Sequence, residues 1–136
     1  MTDKELLTGG CLCGAVRYSA VAKPFAADYC HCSNCLKSTG APVSAWMDFK
    51  TEQVDWLNRD CLVDFESSAK IRRGFCAKCG STLTYRSVDH PEYLTLAITS
   101  LDNPELVRPT YHIHTENQLP WFTVDDKCKR YLQGQT

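Results

Sequence analysis

Short runs in which hydrophobic residues alternate with other residues dominate the chain and predict β-strands. The clearest run covers residues 42–49, where Val43, Ala45, Met47 and Phe49 occupy every second position. Further runs cover residues 15–19, 73–75, 82–86, 93–99 and 110–114. Single turns separate these runs, and many short strands joined by turns are typical of antiparallel sheets. We therefore predict a mainly β fold.

One stretch favours a short helix instead. Ser33 is a suitable N-cap for a helix of one or two turns through residues 34–37. Gly40 is a suitable end for it, because glycine readily adopts the left-handed conformation that closes helices. The remaining chain predicts few other helical turns.

The composition suits one globular domain over residues 1–136, with 43% hydrophobic residues. No run approaches the roughly 20 apolar residues of a membrane helix. The first ten residues lack the apolar core of a signal peptide, so we expect a cytoplasmic protein. The formal charge of −1 argues against a nucleic-acid partner. The basic cluster of Lys70, Arg72 and Arg73 is interpreted as solvated surface.

Nine cysteines are many for a chain of this length. Because their number is odd and no signal peptide is expected, metal binding or redox chemistry is favoured over a disulfide framework. Two cysteine pairs, Cys11 with Cys13 and Cys76 with Cys79, are each followed by glycine. Four thiolates fill a tetrahedral zinc site completely, so these pairs predict a structural zinc. The alternative is two independent pairs of buried or redox-active thiols.

A second motif places Cys30, Cys32 and Cys35 in a C-x-C-x-x-C pattern. Three thiolates leave one position of a tetrahedral zinc open, which is the usual design of a catalytic zinc site. An iron–sulfur cluster would use the same ligand type. Either His31, Cys61 or Cys128 would close the site as a fourth ligand. We interpret His31 as a residue beside the site and the two isolated cysteines as ordinary packing.

These motifs together resemble the glutathione-dependent formaldehyde-activating enzyme family, which shares its domain with centromere protein V. The resemblance covers residues 9–18, 30–35, 75–81, 101–104, 112–114 and 120–121. It implies several coiled antiparallel sheets braced by zinc, and two zinc ions per chain. By resemblance, one zinc is structural, and its ligands are Cys11, Cys13, Cys76 and Cys79. The other zinc is catalytic, and its ligands are Cys30, Cys32 and Cys35.

The named family activity is the condensation of formaldehyde with glutathione, formally a carbon–sulfur lyase run in reverse. The resemblance implies a zinc-dependent enzyme acting on a small thiol or a thiol–aldehyde adduct, with His31 beside its catalytic cysteines. One departure is Leu36, which stands where an arginine is common. The alternative function is a zinc-stabilised binding module with two structural metals and no catalysis. Whether the chain forms a homodimer stays open for either function.

Three histidines are candidate proton carriers because histidine titrates near neutral pH: His31, His112 and His114. Alternate residues of a strand share a face, so His112 and His114 fit a strand that merely lines a surface equally well. Trp46 and Trp121 are candidate walls of the site, although aromatic residues also serve ordinary packing.

Overall fold

The computed structural model describes residues 7–134, which form eleven strands, one α-helix and four single-turn 3-10 helices. The strands are β1 Leu7–Gly10, β2 Arg17–Ala20, β3 Ala26–Cys30, β4 Ser44–Lys50, β5 Val54–Asn58, β6 Leu62–Glu66, β7 Ile71–Cys76, β8 Thr82–Ser87, β9 Tyr93–Ala97, β10 Tyr111–Ile113 and β11 Lys129–Arg130. The helix α1 covers Ser33–Thr39, and the 3-10 helices cover Thr51–Gln53, Ile98–Ser100, Pro104–Leu106 and Thr115–Asn117.

Two sheets confirm the predicted mainly β fold. A small sheet has the strand order β1-β2-β5, and a large one has the order β11-β10-β3-β4-β9-β8-β7-β6. All pairings are antiparallel except those of β10, which runs parallel to both β3 and β11. No helix among the described residues is long and apolar enough to cross a membrane. Residues 1–6, part of the segment used to judge a signal peptide, lie outside the described range.

The large sheet has two chemically different faces. On one face, Met47, Phe49 and Leu96 are fully buried and pack against Tyr18 and other residues of the small sheet. This arrangement follows from the alternation in β4, because successive side chains of a strand point to opposite faces. The core therefore lies between the two sheets.

The opposite face of the large sheet carries polar and aromatic side chains, and we call it the cavity face. Strand register places its residues side by side on neighbouring strands. Asp28 pairs with Trp46. A second row runs across four strands in the order Asp48, Thr95, Tyr85 and Arg73. Cys30, two residues beyond Asp28 in β3, lies on this face as well. The sheet thus presents a cysteine of the second motif next to charged groups from several strands.

Close backbone approach at Gly10 explains why a glycine precedes the first cysteine pair. A Cβ atom there would lie 2.1 Å from the carbonyl oxygen of Val16, which also accepts a 3.1 Å hydrogen bond from the Cys11 amide. Because the obstacle is backbone, Gly10→Ala is expected to cost about 1–3 kcal/mol in the free energy of unfolding. Urea denaturation measures this cost.

Gly134→Ala is the matched control, because no atom lies within 4 Å of the corresponding Cβ position. We expect its urea midpoint to equal that of the unaltered protein. Equal midpoints for both variants would contradict the proposed close approach.

Candidate metal centres and the adjoining cavity

Four cysteine sulfurs converge where β1 and β7 end, and all lie within 4.8 Å of one another. The Cys11 and Cys13 sulfurs are 3.6 Å apart, and those of Cys13 and Cys76 are 3.8 Å apart; Cys79 completes this four-cysteine cluster. Zinc–sulfur bonds of about 2.3 Å place the corners of a tetrahedron about 3.8 Å apart. The sulfur positions therefore fit a zinc ion.

The two glycines that follow the cysteine pairs have the conformation their motif requires. Gly14 has φ = 83° and Gly80 has φ = 79°, a region that L-residues with a side chain rarely adopt. The Gly80 amide donates a 2.7 Å hydrogen bond to the carbonyl oxygen of Cys76, which closes the turn around the sulfurs. Both cysteine pairs therefore end in a turn for which glycine is the suitable residue.

Polar donors lie beside two sulfurs of the four-cysteine cluster, those of Cys11 and Cys79, and favour their thiolate forms. The Val16 amide donates a 3.2 Å hydrogen bond to the sulfur of Cys11. The Ser81 hydroxyl lies 3.2 Å from the sulfur of Cys79, and hydrogen bonds from the Ser81 side chain and backbone lower the pKa of Cys79 to about 5. Metal ligation requires the deprotonated thiol, so these donors favour metal binding.

The second group, Cys30, Cys32 and Cys35, is called the three-cysteine cluster, and its sulfurs also lie within 4.8 Å of one another. Cys30 ends β3, and Cys35 lies in α1 with its sulfur 3.4 Å from that of Cys30. Hydrogen bonds from Cys30 and Cys35 lower the pKa of Cys32 to about 2. The cluster therefore offers at least one thiolate to a metal ion.

The helix α1 begins one residue earlier than predicted. Its N-cap is Cys32 rather than Ser33, because the Cys32 sulfur accepts a 3.3 Å hydrogen bond from the Cys35 amide. Its predicted end at Gly40 is confirmed by a left-handed conformation with φ = 68°. The sulfur of Cys32, a candidate metal ligand, thus also fixes the start of the helix that carries Cys35.

Among residues 7–134, no other cysteine, histidine or carboxylate joins the three-cysteine cluster. The Cys128 sulfur instead faces the carbonyl oxygen of Pro109 at 3.8 Å, and Cys61 packs against the buried group that contains Cys11 and Cys76. The interpretation of both residues as packing agrees with these positions. The cluster supplies three ligands, one fewer than a tetrahedral zinc ion accepts.

A cavity of about 460 Å³ lies on the cavity face and is bounded by all three cysteines of this cluster. Trp46 and Tyr85 form aromatic walls, as predicted for Trp46, whereas Trp121 is 72% exposed and lies outside the cavity. The cavity is also lined by charged or titratable side chains: Asp28, Asp48, Arg73 and His114. This lining can hold a small polar molecule against the sulfurs.

Arg73 was interpreted as solvated surface, and this interpretation is wrong. Its guanidinium lies 3.7 Å from the Cys35 sulfur, 3.2 Å from the Ser38 hydroxyl and over the ring of Tyr85. Arg72, the preceding residue, instead pairs with Glu66 at 2.7 Å. The sequence signal was available in the two-residue period of β7, which separates the two arginines onto opposite faces.

Asp28 and Asp48 are site residues that the sequence analysis missed. Burial and the charge of Asp48 raise the pKa of Asp28 to about 7, and burial also raises the pKa of Asp48. A signal for Asp28 existed, because it stands two residues before Cys30 and so shares its face of β3. Only the pairing of β3 with β4 brings Asp48 to the same place.

His31 does not line the cavity and lies behind the cysteines instead. Its ring is fully buried, and its Nε2 lies 2.8 Å from the Nδ1 of His112. His112 in turn lies 3.0 Å from a carboxylate oxygen of Asp126. Desolvation lowers the pKa of His31, which favours the neutral ring. We call His31, His112 and Asp126 the buried chain, because each is hydrogen-bonded to the next. It supports the turn between the cysteines from behind.

His112 and His114 do not share a face, contrary to the simple strand pattern. His112 lies in β10 and is fully buried, whereas His114 follows the strand with a left-handed φ of 56° and lines the cavity. The change of backbone conformation separates the two rings. Of the three candidate proton carriers, His114 is the one in contact with the cavity.

A sequence model of the family described as glutathione-dependent formaldehyde-activating enzyme matches residues 6–117 of the 136-residue chain. The chain belongs to this family. A Halomonas elongata protein provisionally named a glutathione-dependent formaldehyde-activating enzyme is 29% identical over 136 residues, covering 90% of this chain and 86% of that protein. An uncharacterized lyase of Schizosaccharomyces pombe is 29% identical over 77 residues, covering 57% of this chain and 55% of that protein.

The fold also resembles a crystal structure of a Rhodobacter sphaeroides protein, with a TM-score of 0.60. The alignment covers 76% of this chain and 97% of that chain at 20% sequence identity. At this identity the likeness shows a shared fold alone.

The buried chain behind the cysteines generates a pH-dependent prediction. Burial alone would raise the pKa of Asp126, but hydrogen bonds from His112, the Cys128 amide and Arg130 hold it well below its usual range. A carboxylate with a lowered pKa stabilises the folded state above its unfolded pKa of about 4, and this contribution declines as the pH falls. Asp126→Asn is therefore expected to lower the free energy of unfolding by about 1–3 kcal/mol at pH 7.

Urea denaturation at pH 7 and pH 3 measures this difference for Asp126→Asn against the unaltered protein. The difference in the free energy of unfolding between the variant and the unaltered protein should be smaller at pH 3 than at pH 7. Asp125→Asn is the matched control, because Asp125 is exposed and its substitution should leave stability unchanged at both pH values. A gap that stays constant with pH would contradict the role of the Asp126 charge.

Metal content provides a direct test of both clusters. We expect two zinc ions per chain by elemental mass spectrometry of protein purified without chelator. Cys76→Ser should lose one ion and lower the melting temperature, because the remaining ligands no longer complete a tetrahedron. Cys128→Ser is the control and should retain both ions. One zinc per unaltered chain would contradict the assignment of two metal centres.

Proposed function

We propose that this protein is a zinc-dependent carbon–sulfur lyase that forms or cleaves a thiol–aldehyde adduct. In this proposal the three-cysteine cluster is the catalytic site and the four-cysteine cluster is structural. The observation that carries the proposal is the cavity of about 460 Å³ that is lined by all three cysteines of the incomplete ligand set. The family name supports glutathione and formaldehyde as the kind of substrates to test first.

The four-cysteine cluster suits a structural role because its ligand set is complete. Two ligands follow β1 of the small sheet, and two lie at the end of β7 or just beyond it in the large sheet. A zinc ion held by four thiolates has no position left for a substrate. Its contribution is to link the two sheets.

A zinc ion held by the three-cysteine cluster would supply Lewis acidity, lowering the pKa of a thiol or polarising a carbonyl oxygen. The adduct forms when the thiol sulfur bonds to the aldehyde carbon, the sulfur loses its proton and the carbonyl oxygen gains one. Breaking the adduct reverses each change. The reaction therefore needs a group that carries a proton between sulfur and oxygen.

His114 is the proposed proton carrier, because it lines the cavity together with Cys32. His31 and His112, which bond to each other in the buried chain, are proposed as positioning residues. The guanidinium of Arg73 lies against Cys35 and suits the binding of an anionic group on the substrate. These assignments give His114 and Arg73, which both line the cavity, separate tasks.

The alternative is a zinc-stabilised binding module with two structural metals. Its support would be a fourth ligand that closes the three-cysteine cluster and a surface without a cavity. Among the residues that the structure describes, the cluster has three ligands and borders a cavity. Both observations favour the enzyme.

The activity test measures formaldehyde release from S-hydroxymethylglutathione by the zinc-loaded protein. Cys32→Ser is expected to lower kcat/KM at least about a hundredfold, because it removes a ligand of the proposed catalytic ion. Cys128→Ser should keep full activity, since its sulfur lies at neither cluster.

The same variants are compared by circular dichroism to establish that each retains its fold. Unchanged activity in a folded Cys32→Ser protein would contradict the catalytic assignment. Absence of release by the unaltered protein, with two zinc ions bound and with other small thiol adducts also inert, would favour the binding module.

A further inference from the structure

We propose that Asp28 and Asp48 form a subsite for a cationic nitrogen, so that the preferred thiol substrate carries a protonated amine. The inference rests on the proposed function, because it names the class of thiol that the cavity selects. It concerns residues that lie outside the cysteine motifs.

The two carboxylates occupy neighbouring positions on the cavity face. Asp28 of β3 lies opposite Trp46 of β4, and Asp48 stands two residues beyond Trp46 on the same face. Residues in this diagonal relation have Cα or Cβ atoms about 7–8 Å apart, a gap that one ammonium group can bridge. Both side chains line the cavity that contains the three-cysteine cluster.

Asp28 lacks the partners that a buried carboxylate normally has. It is only 5% exposed, and its Oδ1 atom has no hydrogen-bond partner. The Tyr111 hydroxyl contributes a hydrogen bond to the carboxyl group, and Asp48 accepts a 2.7 Å hydrogen bond from Thr95. Neither aspartate forms a salt bridge among residues 7–134.

Leaving a buried carboxylate without a compensating charge is costly, and such groups are usually paired. The cost is offset when a cation enters the cavity. Trp46, which lies opposite Asp28 and lines the same cavity, adds an aromatic surface to which cations are attracted, whereas the Tyr85 ring already carries the guanidinium of Arg73. Two independent features therefore favour the same charge on the ligand.

The position of the subsite also limits where the amine lies in the substrate. Asp28 and Cys30 are two residues apart in one strand, which corresponds to about 6.6 Å along the chain. A thiol whose sulfur reaches the three-cysteine cluster would thus place an amine a few bonds away against the carboxylates. A small aminothiol, or a peptide thiol with a free amine, fits this spacing.

The test compares thiols that differ in charge at similar size. The zinc-loaded protein is titrated by calorimetry with 2-(dimethylamino)ethanethiol, which is cationic, with its neutral isostere 3-methylbutane-1-thiol, and with anionic 3-mercaptopropionate. The tertiary amine is chosen because it cannot form a ring with formaldehyde. We expect the cationic thiol to bind at least about tenfold more tightly than either of the others.

Asp48→Asn and Asp28→Asn should each abolish this preference while retaining two zinc ions and the native circular dichroism spectrum. Two variants are used because Asp28 is the more buried and its substitution could impair folding. Asp55→Asn is the control with the same change of charge, since Asp55 is exposed on β5 of the small sheet. The preference of the Asp55→Asn variant for the cationic thiol should equal that of the unaltered protein.

Equal affinity for the three thiols, or a preference that survives in folded Asp48→Asn, would overturn the inference. Formaldehyde release from S-hydroxymethylglutathione is measured in parallel. Release without charge preference would overturn the subsite and leave the proposed function standing. A charge preference without release would support the subsite and count against the lyase.

Discussion

A ligand set assembled from distant parts of the chain is the constraint on which the architecture depends. In the four-cysteine cluster, the sulfurs of Cys13 and Cys76 lie 3.8 Å apart although 63 positions separate the two residues in sequence. One comes from the end of the small sheet and the other from the large sheet. A metal bound there closes a long loop and fixes how the sheets meet, which stabilises a core of modest size. The cavity face can then carry polar groups, because the core on the opposite face is secured independently.

The second cluster depends on a simpler constraint, the alternation of side chains at the end of β3. Cys30 and Cys32 border the cavity, and His31 between them points to the other side, where it meets the buried His112. The loop that carries the ligands is thereby held from both sides. A change in the buried chain would move the sulfurs without touching the substrate, which explains how polar residues outside the cavity bear on its geometry.

Local sequence patterns predicted the features that depend on neighbouring residues. The two cysteine clusters, the glycine turns, the end of α1 at Gly40 and the strongly alternating β4 all follow from spacing and conformational preference. Other features depend on strand order, which the pattern does not contain. The parallel pairing of β10 brings His112 beside β3, and β7 brings Arg73 to the cysteines from a distance of 38 positions. The strand β6 was missed because most of its residues are exposed.

Positively and negatively charged side chains lie on different sides of the cavity. Leu36 contributes no charge where an arginine is common in the family, yet Arg73 supplies a guanidinium 3.7 Å from the sulfur of Cys35. With a divalent ion bound, three thiolates would give the site a charge of about −1, which this arginine would offset on the side of β7. The aspartates lie on β3 and β4, where the salt bridges of the described residues offer them no cation. In the proposed function, a thiol with an anionic and a cationic group would therefore have one favourable orientation, with its anionic group towards Arg73 and its cationic group towards the aspartates.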